Sequence, residues 1–287
     1  MIPVELIHHC SQALTKAGVA YGQGTLNAED EAAWLVLWAL KLPLDTDTSP
    51  LNSPVSETES ETVLALLRKR TESRQPLAYL TGEAWLQGVS FHADERCLIP
   101  RSLIAEVIAH GSIDPWLHPD SQRALDLCTG GGSLAVLLAL AYPTLHVDAL
   151  DISAEALAVA DINIERHGLQ DRITACLSDG LTHAKGEYDL IVCNPPYVNA
   201  QSMSDLPNEF LHEPALALAG GNDGMDFVRG LLQHAPQYMT NNGVLVLEIG
   251  HEIEHFHAAF PSLDVTYLST SAGDEQVLLI TKQALLS

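Results

Sequence analysis

The chain has 287 residues, 47% hydrophobic and 18% charged, which argues against disorder and leaves enough apolar material for two unequal domains. Its 37 acidic residues against 14 basic give a formal charge of −23, a field that repels phosphate backbones and draws basic partners, so free DNA is not an expected partner. Five cysteines without a C-x-x-C pair argue against a disulfide framework or zinc knuckle. With no signal-like character in residues 1–12 and no apolar run near the roughly 18 residues of a membrane span, a reducing cytoplasm is the expected setting.

Apolar positions at helical spacing predict helices over 3–17 (Val4, Ile7, Leu14) and 29–42 (Ala32, Leu35, Val36, Ala39, Leu40), separated by a break at Tyr21-Gly22-Gln23-Gly24. A Pro/Ser/Thr-rich acidic stretch over 45–56 follows. A third helix is predicted over 57–72, with Val63, Leu64 and Leu67 on its apolar face and Arg68-Lys69-Arg70 on a solvated one. Residues 1–74 thus read as a helical domain, to which substrate recognition is assigned.

Short alternating segments over 75–100, with turn signals at Gly82 and Gly88 and strand formers Trp85 and Phe91, predict a β-hairpin connector. Residues 101–287 form the larger domain. After helical character beyond Ser102 and a loop at Asp114-Pro115 and His118-Pro119, strands alternate with helices and predict a mainly parallel α/β sheet covered on both faces. Strands are expected over 124–127, 145–150, 173–177, 188–193 and 243–249, and the last two, 265–268 and 277–281, as an antiparallel hairpin. Seven strands with that ending resemble a Rossmann-like methyltransferase fold more than a nicotinamide-binding one.

The strand at Ala124-Leu125-Asp126-Leu127 runs into Cys128-Thr129-Gly130-Gly131-Gly132, a glycine-rich turn where backbone amides can approach a ligand, and Ser133 is placed to cap the next helix. With Cys128 and Ser133 at two of its positions, the dinucleotide fingerprint G-x-G-x-x-G is broken. The next two strands end in acids, Asp151 followed by Ile152, and Asp179. A carboxylate at this edge can accept ribose hydroxyls, and the second can accept from an adenine amino group. Either aspartate alone could be a turn or capping residue; the agreement of three strand ends points to a nucleoside-bearing cofactor.

The fourth strand stops at Asn194-Pro195-Pro196-Tyr197. Neither proline can donate a backbone hydrogen bond, so the ladder ends there and the carbonyls of Asn194 and Pro195 are left to accept from a ligand. A carboxamide nitrogen is a poor nucleophile because its lone pair is delocalised. The Asn194 side-chain oxygen and the Pro195 carbonyl suit a grip on its two hydrogens, and Tyr197 offers a flat face and a hydroxyl. Transfer of a methyl from a sulfonium is then a matter of orientation, with no catalytic His, Cys or Ser required.

The pairing of Asp126 to Gly132 with Asn194 to Tyr197, together with Gln75-Pro76-Leu77-Ala78-Tyr79-Leu80-Thr81-Gly82 and Leu98-Ile99-Pro100-Arg101, resembles the glutamine N-methyltransferases that act on translation proteins. Glu213-Pro214, Ala217-Leu218 and Gly221 to Gly224 match the same pattern. Tyr21 to Thr25, Leu42-Pro43-Leu44-Asp45 and Ser204 to Glu209 with His212-Glu213-Pro214 resemble the branch that methylates large-subunit ribosomal protein number three, and Cys128 stands where the release-factor branch has glycine. The resemblance implies S-adenosylmethionine held by Asp126, Cys128, Thr129, Gly130, Gly131, Gly132, Asp151, Ile152, Asp179 and Asn194, and glutamine held by Asn194, Pro195, Pro196 and Tyr197. Gly131 departs from the Ser or Thr of many relatives.

Two rival enzymatic readings are a release-factor glutamine methyltransferase and an adenine-specific nucleic-acid methyltransferase; an adenine amine presents the same two hydrogens. The acidity of the chain disfavours the second. His251, His255 and His257 with Glu252 and Glu254 read as an exposed helix rather than a metal site. Arg101 and Glu106 are candidates to brace the domain junction.

Overall fold

The computed structural model describes residues 1–287. Helices α1 (Pro3–Ala17), α2 (Ala28–Ala39) and α3 (Glu57–Ser73) come first. Asn27 caps α2 by accepting from the amides of Glu29 and Asp30, and Ser56 with Glu59 forms a capping box on α3. Leu6, Cys10 and Leu14 of α1 meet Ala32, Leu35 and Val36 of α2 and Val63 and Leu67 of α3 in one buried core. Arg70 departs from its expected place on a solvated face. It lies three residues beyond Leu67 on the buried side of α3 and is 1% exposed, its Nε 2.7 Å from Glu31 Oε1.

The connector begins with a short helix, α4 (Leu77–Thr81), where alternation had suggested strand; the antiparallel pair β1 (Glu83–Leu86) and β2 (Val89–His92) follows. Pro76 at the N-cap and Gly82, with φ 69°, bound that single turn, and Leu77, Ala78 and Tyr79 pack into the helical core. Helix α5 (Ile104–Ala109) leads into β3 (Arg123–Leu127), α6 (Ser133–Ala141), β4 (His146–Asp151), α7 (Ala154–Arg166), β5 (Ile173–Leu177) and β6 (Tyr188–Cys193). The chain ends with α8 (Ala200–Ser204), α9 (Asp226–His234), β7 (Met239–Glu248), α10 (Ile253–Ala259), β8 (Thr266–Tyr267), β9 (Val277–Thr281) and α11 (Lys282–Leu286).

Seven strands form one sheet in the order β5-β4-β3-β6-β7-β9-β8. The first five are parallel, β9 runs antiparallel between β7 and β8, and the closing hairpin is as expected. Side-chain alternation divides the core: Ala124, Leu190, Val192, Val244 and Val246 face α5 and α6, while Leu125, Leu127, Ile191, Leu245 and Leu247 face α9 and α10. The chain leaves β3 toward β4 on one side and returns to β6 on the other. Crevices open at such a reversal, outside the carboxyl ends of the strands. No helix is long and apolar enough to cross a membrane.

Candidate active site

A cleft opens at that reversal. Its lining includes Cys128, Thr129, Gly130 and Gly131 after β3, Asp151 and Ile152 after β4, Asp179 after β5, and Asn194 and Pro196 after β6. Asp126, Gly132, Pro195 and Tyr197 belong to the same strand ends but do not line it.

Each of those four supports the cleft from behind. Asp126 is 1% exposed; its Oδ2 accepts from Thr129 Oγ1 at 2.5 Å and from the Ala135 amide at 2.9 Å. It therefore tethers the turn and occupies an N-terminal amide of α6, the work expected of Ser133. The helix instead has Gly132 at its N-cap, with φ 78° and no side-chain cap, and a Cβ there would stand 3.0 Å from Ala160 Cβ. Pro195 is buried. The Tyr197 hydroxyl donates to Glu248 Oε1 at 3.1 Å and its ring packs on Gly250, leaving no open face toward the cleft.

The turn itself is strained at its first residue, since Cys128 holds φ 61°, a left-handed backbone that costs a side-chain-bearing residue about 1 kcal/mol or more. At Gly131 a Cβ would stand 3.1 Å from Cys97 Sγ and 3.4 Å from Val159 Cγ1, so a Ser or Thr there would be tight and would need the Cys97 thiol to shift. Asn163, fully buried on α7, takes the His92 amide on its Oδ1 at 2.7 Å and donates to the Gly131 carbonyl at 2.8 Å, fixing the hairpin against the turn. Sequence reasoning passed over Asn163; an amide side chain among the apolar positions of α7 was its signal. It also passed over Glu248, a carboxylate at the end of an apolar strand, which accepts from Ser102 Oγ at 2.6 Å and the Leu103 amide at 2.9 Å. Burial raises its pKa against those hydrogen bonds.

The cleft offers several acceptors with lone pairs to spare. Asp151 Oδ2 takes the Gly130 amide and Oδ1 the Ser153 amide, each at 2.8 Å, leaving each oxygen further lone-pair capacity. In the lining, the Asp179 carboxylate and the side chain and carbonyl of Asn194 make no hydrogen bond within the chain; behind it, the Pro195 carbonyl is likewise unpaired and Asp126 Oδ1 is buried without a partner. The two arginines in the lining are already paired, Arg96 with Asp94 and Arg101 with Glu213. Unpaired carboxylate and carbonyl acceptors beside a glycine-rich turn fit a cationic ligand carrying hydroxyl and amine donors, as S-adenosylmethionine does.

Burial pushes the Asp126 carboxyl up to about 7, against the lowering effect of Thr129 and the Ala135 amide. A folded value above the unfolded one means the protonated form favours folding. That contribution is complete below about pH 4 and is lost as pH rises through about 7. Urea unfolding at pH 5 and pH 8 should show Asp126→Asn losing this part of the wild-type pH slope. An identical slope in the variant would mean the carboxyl is not protonated in the fold.

Of the three histidines, His251 precedes α10, so it shares no helical face with His255. His255 bonds through Nδ1 to Glu252 Oε2, and His257 through Nε2 to the Tyr267 hydroxyl. Glu106 accepts from the Ser271 amide and hydroxyl, bracing α5 against the β8–β9 connection rather than a domain junction.

A family model described as "Methyltransferase small domain" matches residues 114–223, and one described as "PrmC N-terminal domain" matches residues 5–82. A relative from Bordetella pertussis, named ribosomal protein uL3 glutamine methyltransferase, is 52% identical over 98% of this chain and 95% of its own. One of the same name from Neisseria meningitidis serogroup B is 45% identical over 98% and 93%. Among solved structures, the hMettl16 catalytic domain in complex with MAT2A 3'UTR hairpin 6 covers 80% of this chain and 84% of its own at TM-score 0.52 and 18% identity, a likeness of fold. Identity of this extent, over nearly the whole length, means that the chain belongs to the ribosomal protein uL3 glutamine methyltransferase family.

Proposed function

We propose that the chain transfers a methyl group from S-adenosylmethionine to the side-chain amide nitrogen of a glutamine in ribosomal protein uL3, working in the cytoplasm where that substrate is made. The observation that carries the reading is the set of unpaired acceptors, the Asn194 side chain and the Asn194 and Pro195 carbonyls, at the end of β6 beside the glycine turn. Bound there, S-adenosylmethionine supplies the methyl on a sulfonium that departs as a neutral thioether.

The protein's part is binding and aim. Asn194 Oδ1 and the Pro195 carbonyl would accept the two amide hydrogens of the glutamine, turning its nitrogen toward the methyl and stabilising the positive charge that develops there; as the N–C bond forms, one of those hydrogens leaves as a proton to solvent, so the product is a neutral N-methyl amide. Pro196 closes the turn, and Tyr197, anchored on Glu248, keeps it from relaxing. Asp151 and Asp179 would hold the ribose and adenine with Ile152 beside them, and Cys128, Thr129, Gly130 and Gly131 would hold the amino-acid end, with Asp126 and Gly132 fixing the turn beneath. Residues 1–74 and the connector 75–100 serve recognition of the substrate protein, whose basic character matches the −23 charge.

Purified enzyme offered uL3, a release factor, DNA and RNA side by side should label uL3. Label confined to nucleic acid would refute the reading, and label confined to the release factor would move the substrate. Asp151→Ala should weaken cofactor binding by about 1.5–3 kcal/mol, the loss of charged hydrogen bonds, as read by calorimetry. Unchanged affinity would remove Asp151 from the ribose.

A further inference from the structure

Glu213 joins three parts of the chain that the catalytic reading leaves separate. Its side chain is fully shielded from solvent. Oε1 accepts from Arg101 Nη1 at 2.5 Å and from the Ile99 amide at 3.0 Å; Oε2 accepts from Arg101 Nη2 at 2.9 Å and from Gln23 Nε2 at 2.7 Å. The donors thus come from the loop between α1 and α2 and from the segment that follows β2. Gln23 donates as well toward the Glu209 carbonyl at 3.4 Å, and Arg101 stands over the Phe210 ring, 5.6 Å from its centroid.

What Glu213 carries is the far wall of the cleft. Pro214, Leu216 and Ala217 line it immediately downstream, and the segment then returns to the catalytic turn, where the Val198 amide donates to the Leu218 carbonyl and the Gly220 amide to the Val198 carbonyl, each at 2.8 Å. Leu216 and Leu211 on this segment keep 58% and 64% of their surface exposed. The acids assigned to the cofactor sit on the β3, β4 and β5 side of the strand reversal; this wall grows from the β6 side. A carboxylate taken out of water costs stability unless fully paired, and apolar side chains of equal volume hold such a joint as well, so four converging donors serve direction.

We propose that Glu213 is a positioning residue for the protein substrate: by tying Gln23, Ile99 and Arg101 to the segment 214–217, it sets the wall against which the chain flanking the target glutamine lies. The proposal rests on the glutamine-methylation reading above. Ile99 and Arg101 line the cleft, but no donor to Glu213 belongs to the glycine turn or to the strand ends of Asp151 and Asp179 assigned to the cofactor, so an effect confined to the protein substrate distinguishes the proposal.

The test uses the full-length enzyme with uL3 as substrate. Glu213→Gln keeps the shape and an acceptor for the Ile99 amide while removing the charge, and Gln23→Leu severs only the link to the N-terminal helices. Glu213→Gln should raise KM for uL3 by about tenfold or more, and Gln23→Leu by about threefold, with S-adenosylmethionine affinity kept within about twofold. If Glu213→Gln does not fold, Gln23→Leu decides alone. A rise in KM with cofactor affinity kept supports the proposal. An unmoved KM in folded variants overturns it, as does cofactor affinity falling in step, which would mark a general structural role. Wild-type enzyme inactive on uL3 would overturn the functional reading with it; wild-type activity beside an unmoved KM overturns this proposal alone.

Discussion

Asn194→Ala is expected to lower turnover by about two to three orders of magnitude, the loss that follows removal of one preorganised polar contact to a developing charge. The side chain bonds to nothing else in the chain, so truncation leaves no internal donor or acceptor stranded and the fold should be unaffected. S-adenosylmethionine affinity should stay within about threefold, because the acids assigned to ribose and adenine lie on other strands. Single-turnover methylation of saturating uL3, paired with calorimetry of the cofactor, separates the two effects. Turnover within a factor of about three of wild type would remove the carboxamide grip from the mechanism.

The largest loss of stability is expected at Arg70. Its guanidinium is 1% exposed, donates from Nε to Glu31 at 2.7 Å and from Nη2 to the Ala20 carbonyl at 3.0 Å, and lies 3.6 Å from Glu209. Arg70→Met preserves much of the side-chain volume but strands Glu31, which is 4% exposed and keeps only the Thr25 hydroxyl as a further side-chain partner. Removing one member of a buried pair costs about 3–5 kcal/mol, because the remaining charge stays out of water. Urea unfolding should register that loss, and adding Glu31→Leu to the variant should recover part of it. A loss below about 1 kcal/mol would mean water reaches the pair and the burial is shallower than it stands.

Arg70 also shows where sequence reading stops. Its membership in a run of three basic residues suggested solvent, yet its spacing from Val63 and Leu67 places it on the apolar face, a helical period that outweighs local composition. Periodic signals of this kind were sufficient for α1, for all seven strands of the main sheet and for the antiparallel ending. They rest on neighbours in sequence, which obey fixed geometry. The short helix α4 was hidden because one turn carries too few positions to show a period. Glycine and aspartate at successive strand ends made the cleft legible, since topology alone brings those ends together. Glu213 and Gln23 were not legible as a pair, because 190 residues separate them and only tertiary packing decides which acid meets which amide. Ser133 misled for a related reason: Asp126, on the strand before it and nine residues upstream of Ala135, reaches the Ala135 amide of the helix first.

At the joint between the N-terminal helices and the catalytic domain, three guanidiniums, Arg70, Arg74 and Arg101, meet three buried carboxylates, Glu31, Glu209 and Glu213. Their formal charges cancel, three against three, so the whole −23 belongs to the rest of the molecule. Ionic strength therefore acts most on that outer field. Added salt shortens the reach of the outer field to roughly 8 Å at physiological concentration and would slow capture of a basic partner, while the solvent-shielded Arg70–Glu31 pair is screened far less.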